Sequence, residues 1–152
     1  MSVEHRIRLA VADDRAAVVE LVEQAYQPWV AVIGARPAPM DADYAGLIAA
    51  GQVHVTGADV LDGLIVLVPE PDVLLVENVA VRPPLHGRGL GRRLLAFAED
   101  EARRLGLAAV RLYTNGKMSR NIELYEKLGY EITDRQPAGE RGHVVLMRKH
   151  LP

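Results

Sequence analysis

Apolar positions recur along the chain in two rhythms, and the changes from one to the other mark out alternating elements. Residues 5–11, HRIRLAV, alternate polar and apolar as a half-buried strand does. After Asp13 or Asp14, either of which can cap a helix, Val18, Leu21, Val22 and Ala25 return at helical spacing. That helix is expected to end near Gln27-Pro28, because proline disfavours helical geometry in the residue before it. Residues 28–40 hold three prolines, a glycine and the only tryptophan, and read as an ordered but irregular connection with one short helical turn. A second helix over residues 41–50 is stopped by Gly51. Residues 52–56 and 61–68 have strand composition around the turn Gly57-Ala58-Asp59, which predicts an antiparallel hairpin.

The near-continuous apolar run at residues 73–81 implies burial on both faces and a place in the middle of the sheet. Two prolines follow, then Gly87, Gly89 and Gly91, then a helix whose buried face is marked by Leu90, Leu94, Ala98, Ala102 and Leu105 before Gly106 ends it. Residues 108–114 form a fifth strand, laid parallel to the central one by a right-handed crossover. Asn115-Gly116 turns the chain into a helix at 119–128, capped by Ser119 and ended by Gly129, and residues 130–135 and 143–149 close a last hairpin. The sum is an α/β chain: a mixed, mostly antiparallel sheet with one parallel crossover, flanked by helices.

Size and composition narrow the class. The 152 residues suit a single domain, 1–152, and a hydrophobic content of 49% with 25% charged residues is that of an ordinary soluble globular protein. The formal charge of -2 gives no global basic field, so no nucleic-acid partner is expected. The absence of cysteine excludes disulfides, thiolate metal sites and a cysteine nucleophile, and no His/Asp/Glu cluster has metal-ligand spacing, so no metal is expected. The first residues lack an apolar core of signal-peptide length, and no apolar run approaches the roughly 20 residues of a membrane helix. A cytoplasmic protein without membrane contact is the resulting expectation.

Strand, glycine turn and helix in immediate succession build an anion site. The first turn of a helix has N–H groups without intrahelical partners and carries partial positive charge. Glycines admit close approach of a ligand, and Arg88, Arg92 and Arg93 add full charges around the same turn. A pyrophosphate suits such a place. The glycines follow neither the Gly-x-Gly-x-x-Gly order nor a Gly-Lys-Ser/Thr pattern, so the common dinucleotide and P-loop sites are disfavoured.

The run Val81-Arg82-Pro83-Pro84-Leu85-His86-Gly87-Arg88-Gly89-Leu90-Gly91 resembles the acetyl-CoA-binding motif of the GCN5-related N-acetyltransferases (GNATs), in which Arg/Gln-x-x-Gly-x-Gly/Ala follows a strand. His86 stands where that family usually has Arg or Gln. A second stretch resembles the family's later motif: Asn121, then Leu124-Tyr125-Glu126-Lys127-Leu128-Gly129-Tyr130. The resemblance covers most of the chain and implies the acyl-CoA N-acyltransferase fold, in which a bulge splays the central strand from its parallel neighbour. It implies acetyl-CoA as acetyl donor, held by Val79, Ala80, Val81, His86, Gly87, Arg88, Gly89, Leu90, Gly91, Arg92 and Asn121. It further implies Tyr125 as proton donor to the departing thiolate and a backbone N–H of Ala80 or Val79 for the thioester oxygen. It also allows a homodimer.

Asn121 and Tyr125, four apart, share one helix face, so one can hold the cofactor while the other reaches the sulfur. Glu77, a carboxylate inside an apolar strand, is the candidate general base, against the alternative of a structural ion pair. Trp29, Tyr44 and His143 are candidate acceptor-binding residues, against the alternative that such residues plug the core edge or face solvent. The expected activity is acetyl transfer to a primary amine, with a small molecule as acceptor. A protein or peptide acceptor, and a non-catalytic acyl-CoA sensor, are the competing readings.

Overall fold

A computed structural model describes residues 6–152. Its strands are β1 (Arg8–Leu9), β2 (Val53–Gly57), β3 (Leu61–Pro69), β4 (Leu74–Val81), β5 (Ala109–Asn115), β6 (Glu131–Pro137) and β7 (His143–His150). Its helices are α1 (Arg15–Ile33), α2 (Tyr44–Ala49), α3 (Leu90–Arg104) and α4 (Ser119–Lys127). The strands form one seven-stranded sheet in the order β1-β2-β3-β4-β5-β7-β6. Every neighbouring pair is antiparallel except β4 and β5, so the run at 73–81 does become the central strand and the crossover through α3 makes the one parallel pair.

The sheet is covered on both faces. Leu64 and Val66 of β3 enter a core with Val18, Leu21, Val22 and Ile33 of α1 and Ile48 of α2. Ile65 and Leu67 enter the opposite core, with Leu94, Leu95, Ala98 and Ala102 of α3 and Tyr125 of α4. Successive side chains of a strand point to opposite faces, so the β3 pattern is the period of 2 written into two cores.

In β4 that alternation breaks once. Asn78 lies opposite Val66, but Val76 lies opposite Leu67, so Glu77 is an extra residue without a partner on β3. Before the bulge, Leu74 and Val76 face the α3 side; after it, Val79 and Val81 pack on that side while Ala80 joins the α1 side. One added residue reverses the phase of everything that follows.

Several sequence expectations change. Strand β1 is only two exposed residues, and His5, at the start of the expected strand, lies outside the described residues. Helix α1 does not end at Gln27-Pro28: it runs through Pro28 to Ile33. The proline removes one main-chain bond, but Trp29, Val30 and Ile33 pack onto the core, and Gly34, at φ 84°, closes the helix with its N–H 2.8 Å from the Val30 carbonyl. Residues 28–33 are therefore helix and not irregular connection, and the rest of that stretch holds a 3-10 turn, Ala38–Asp41. Asp14 does not cap α1; its carboxylate accepts from Arg8 and from the Val11 N–H at 2.7 Å. Ser119 does not cap α4 but is its first helical residue, after Met118. Leu105 is 42% exposed and lies off the α3 packing face. No helix among the described residues is long and apolar enough to cross a membrane.

Helix α3 reaches the sheet over Gly63. A Cβ there would meet the Ala80 carbonyl oxygen and Leu94 Cδ1 at 3.1 Å and Leu90 Cδ2 at 3.2 Å. Gly63→Val is therefore expected to destabilise the fold by about 1–3 kcal/mol through overpacking. At about 2–4 °C per kcal/mol for a chain of this size, a thermal melt should record a fall of several degrees.

Candidate active site

Strands β4 and β5 pair only where Leu74, Leu75 and Val76 face Val110, Arg111 and Leu112. Beyond that point β5 stays with β7 as far as Asn115, opposite Val144, while β4 stays with β3 as far as Val81, opposite Gly63. The two central strands part after the bulge. Peptide groups in an antiparallel strand face alternate neighbours. The Arg82 N–H bonds to the Asp62 carbonyl at 2.8 Å, on the β3 side. Ala80 shares that direction, and the peptide groups of Val79 and Val81 turn toward the gap. Side chains already use the two carbonyls: the Tyr26 hydroxyl lies 3.3 Å from that of Val79, and His86 Nε2 lies 2.9 Å from that of Val81. In place of the usual Arg or Gln, His86 thus ties the glycine turn to the end of β4.

Gly87 and Gly89 adopt φ of 78° and 83°, in the left-handed region that glycine favours, and nothing lies within 4 Å of where their Cβ atoms would be. Helix α3 starts at Leu90 with no side chain capping it, and the Arg93 N–H makes its first main-chain bond, to Gly89 O at 3.0 Å. The earlier N–H groups of the turn are left for a ligand. A cleft of about 480 Å³ runs from this turn along β4. Of the proposed cofactor residues, Val79, Ala80, Val81, His86, Gly87, Gly89, Leu90, Gly91, Arg92 and Asn121 line it, while Arg88 is exposed outside its wall.

A smaller recess of about 70 Å³ opens where the strands part, among Glu77, Asn78, Tyr113, Asn115, Arg141 and the segment Pro37-Ala38-Pro39. Tyr26, Val79, Met118, Asn121 and Tyr125 line both spaces and form the passage between them. Tyr125 is 5% exposed, its ring sits edge-on to Tyr130 with centroids 6.0 Å apart, and its hydroxyl has no hydrogen bond to another described residue. Burial pushes its phenol above the usual range, so the hydroxyl stays protonated at neutral pH.

Glu77, the bulge residue, accepts a hydrogen bond from the Tyr113 hydroxyl at 2.5 Å. Tyr113 is pushed up by burial, and the neighbouring carboxylate adds to the shift. On the other face of β4, the buried Asn78 side chain accepts from the Tyr26 hydroxyl and donates to that of Tyr44 at 3.0 Å, which donates onward to the Pro39 carbonyl at 2.5 Å. This chain fixes α1, α2 and the Pro37-Ala38-Pro39 segment against the strand that carries Glu77. Three bonds link the end of α1 and the segment after it, the end of β5 and the loop that follows it, and the loop before β7. Arg141 Nε donates to Arg36 O at 2.8 Å, Asn115 Nδ2 to Arg141 O at 2.6 Å, and Lys117 Nζ to Ile33 O at 3.3 Å.

The candidate acceptor residues disperse. Trp29 lines the larger cleft, Tyr44 is buried behind Asn78 and borders neither space, and His143 is exposed and packs against Gly116. Tyr113, Asn78 and Arg141 were missed. Asn78 was visible as a second polar residue in an apolar strand. Arg141 carries no sequence signal, since its place depends on contacts more than a hundred residues distant.

The model of the "Acetyltransferase (GNAT) family" matches residues 23–130. The "IAA acetyltransferase" of Azospirillum brasilense is 43% identical over 67 residues, a match covering 44% of this chain and 42% of that protein, so this relative is matched over less than half its length. The "S-(2-succino)cysteine N-acetyltransferase" of Bacillus subtilis (strain 168) is 31% identical over 160 aligned positions, 96% of each chain. Among solved structures, the PaiA N-acetyltransferase of Thermoplasma acidophilum, in complex with coenzyme A, superposes with a TM-score of 0.82 at 20% identity, over 99% of this chain and 100% of that one, and so shares the fold. With the family model matching well over half of the chain and a relative aligned over 96% of both proteins, the chain belongs to the GNAT family of acetyltransferases.

Proposed function

We propose that the protein transfers the acetyl group of acetyl-CoA directly to the primary amine of a small molecule. The observation that carries this reading is the parting of β4 and β5 with Tyr125 in the passage between the two spaces it creates. The residues suit the donor: uncapped N–H groups at the start of α3 suit a pyrophosphate, and the outward N–H of Val81 suits an extended amide-bearing arm, as a strand edge suits a peptide. A thioester supplies an activated acetyl carbonyl and a thiolate leaving group.

The chain's residues then divide the work. The Val79 N–H donates to the carbonyl oxygen as it gains negative charge. Tyr125, held protonated by burial, gives a proton or a hydrogen bond to the departing sulfur. Glu77 takes the amine's proton with the carboxylate oxygen that Tyr113 leaves unused. The tied segments around the recess favour a small acceptor over a peptide, which needs an open groove. An "Aminoalkylphosphonate N-acetyltransferase" of Salmonella typhimurium, 38% identical over 56 residues, is by its name an enzyme with a small-molecule acceptor.

Acetyl-CoA at about 100 times its dissociation constant is expected to stabilise the fold by roughly 2.7 kcal/mol, more than ATP does, in a thermal-unfolding scan. Gly89→Val, which forces a β-branched residue to φ 83°, should erase that difference. Absence of any shift at millimolar acetyl-CoA would sink the cofactor assignment. Tyr125→Phe is expected to lower kcat about 100-fold while keeping the acetyl-CoA shift. Glu77→Gln should lower kcat with the same cofactor shift. A wild-type protein that binds acetyl-CoA but releases no thiol with any amine would instead be a sensor.

A further inference from the structure

The recess contains one full negative charge and one full positive charge, and they belong to different elements. Glu77 comes from the bulge of β4, and Arg141 from the loop between β6 and β7. Arg141 is held in place with one long ion pair, to Asp41. Its Nε donates to Arg36 O at 2.8 Å and its own carbonyl accepts from Asn115 at 2.6 Å, which fix the base of the side chain and the loop beneath it. Its nearest carboxylate, Asp41, stands 3.9 Å away and is already engaged by Arg36 at 3.0 Å. The terminal nitrogens of a guanidinium anchored through Nε keep their donor geometry for an oxyanion. Lys117, beside Gly142, adds a second cation near the same loop.

Resting on the acetyltransferase reading, we propose that the acceptor is a small amine carrying its own oxyanion, with its ammonium directed to Glu77 and its carboxylate or phosphonate to Arg141. A recess with one carboxylate and one guanidinium matches a zwitterion in charge and in polarity. A diamine would set its second ammonium against Arg141, and a neutral amine would leave the recess-facing side of Arg141 unused. The polarity also orients the acceptor. Glu77 lies two residues before Val79 on the strand that borders the larger cleft, whereas Arg141 comes from a loop that does not border that cleft. Arg141 is thus a specificity residue and Glu77 a catalytic one.

The test is a thiol-release assay with acetyl-CoA and a matched panel. Amino acids are compared with their C-terminal amides, aminoalkylphosphonates with the corresponding alkylamines, and both with 1,4-diaminobutane. The wild-type protein is expected to favour the acidic member of each pair at least tenfold in kcat/KM. Whichever acid is the better substrate identifies the oxyanion. Arg141→Gln should remove the preference mainly by raising KM for the acid, with the acetyl-CoA thermal shift kept. Arg141→Glu should invert the preference toward the diamine. Equal or better turnover of the neutral or cationic partners by wild type overturns the proposal and leaves the acetyltransferase reading standing. No turnover with any amine, despite acetyl-CoA binding, overturns both. The wild-type panel alone decides the preference, so a variant that fails to fold does not obscure it.

Discussion

The extra residue at position 77 is the constraint on which the site depends. A strand without it would keep one set of side chains on each face along its whole length. With it, β4 twists away from β5 after only three paired residues, and the phase of its remaining residues reverses. Both consequences are needed. The twist opens the sheet, and the reversal sends Asn78 to the α1 side, where Tyr26 and Tyr44 satisfy it, while Val79 and Val81 pack toward α3. A buried asparagine amide without those partners would be costly, so the hydroxyls of α1 and α2 are part of what makes the bulge tolerable.

The two halves of the site are built differently. Regular elements position the donor half: the end of β4, the turn whose two glycines take left-handed conformations, and the first turn of α3, which approaches the sheet over Gly63. Loops and short turns supply much of the acceptor half, with Pro37 and Arg141 contributed by segments far apart in the chain. A rigid scaffold presenting variable loops is the common arrangement where one chemistry serves many substrates.

That division also explains what could be read from the sequence. The central strand, the glycine turn and the amphipathic helices are local patterns, and the run from Val81 to Gly91 together with Asn121 and Tyr125 carried the resemblance to the family that the chain proved to join. The path of α1 through Pro28 was not legible, because proline's local preference was outweighed by the packing of Trp29, Val30 and Ile33. The bulge in β4 was not legible, since a near-continuous apolar run buried on both faces shows no alternation from which a skipped phase could be detected. Tyr44 looked like a wall residue and is instead an internal strut, and Arg141 was invisible because its neighbours come from the other end of the chain.

The gap in the sheet is also a seam in the chain. Strands β1 to β4 lie before residue 82 and β5 to β7 after residue 108, so each half-sheet is contiguous in sequence. They share three residue pairs of ladder and the helix α3 that crosses from one to the other. Each half therefore draws its strand pairing from one contiguous stretch of chain. The opening between β4 and β5 falls on the line that separates the first half of the polypeptide from the second.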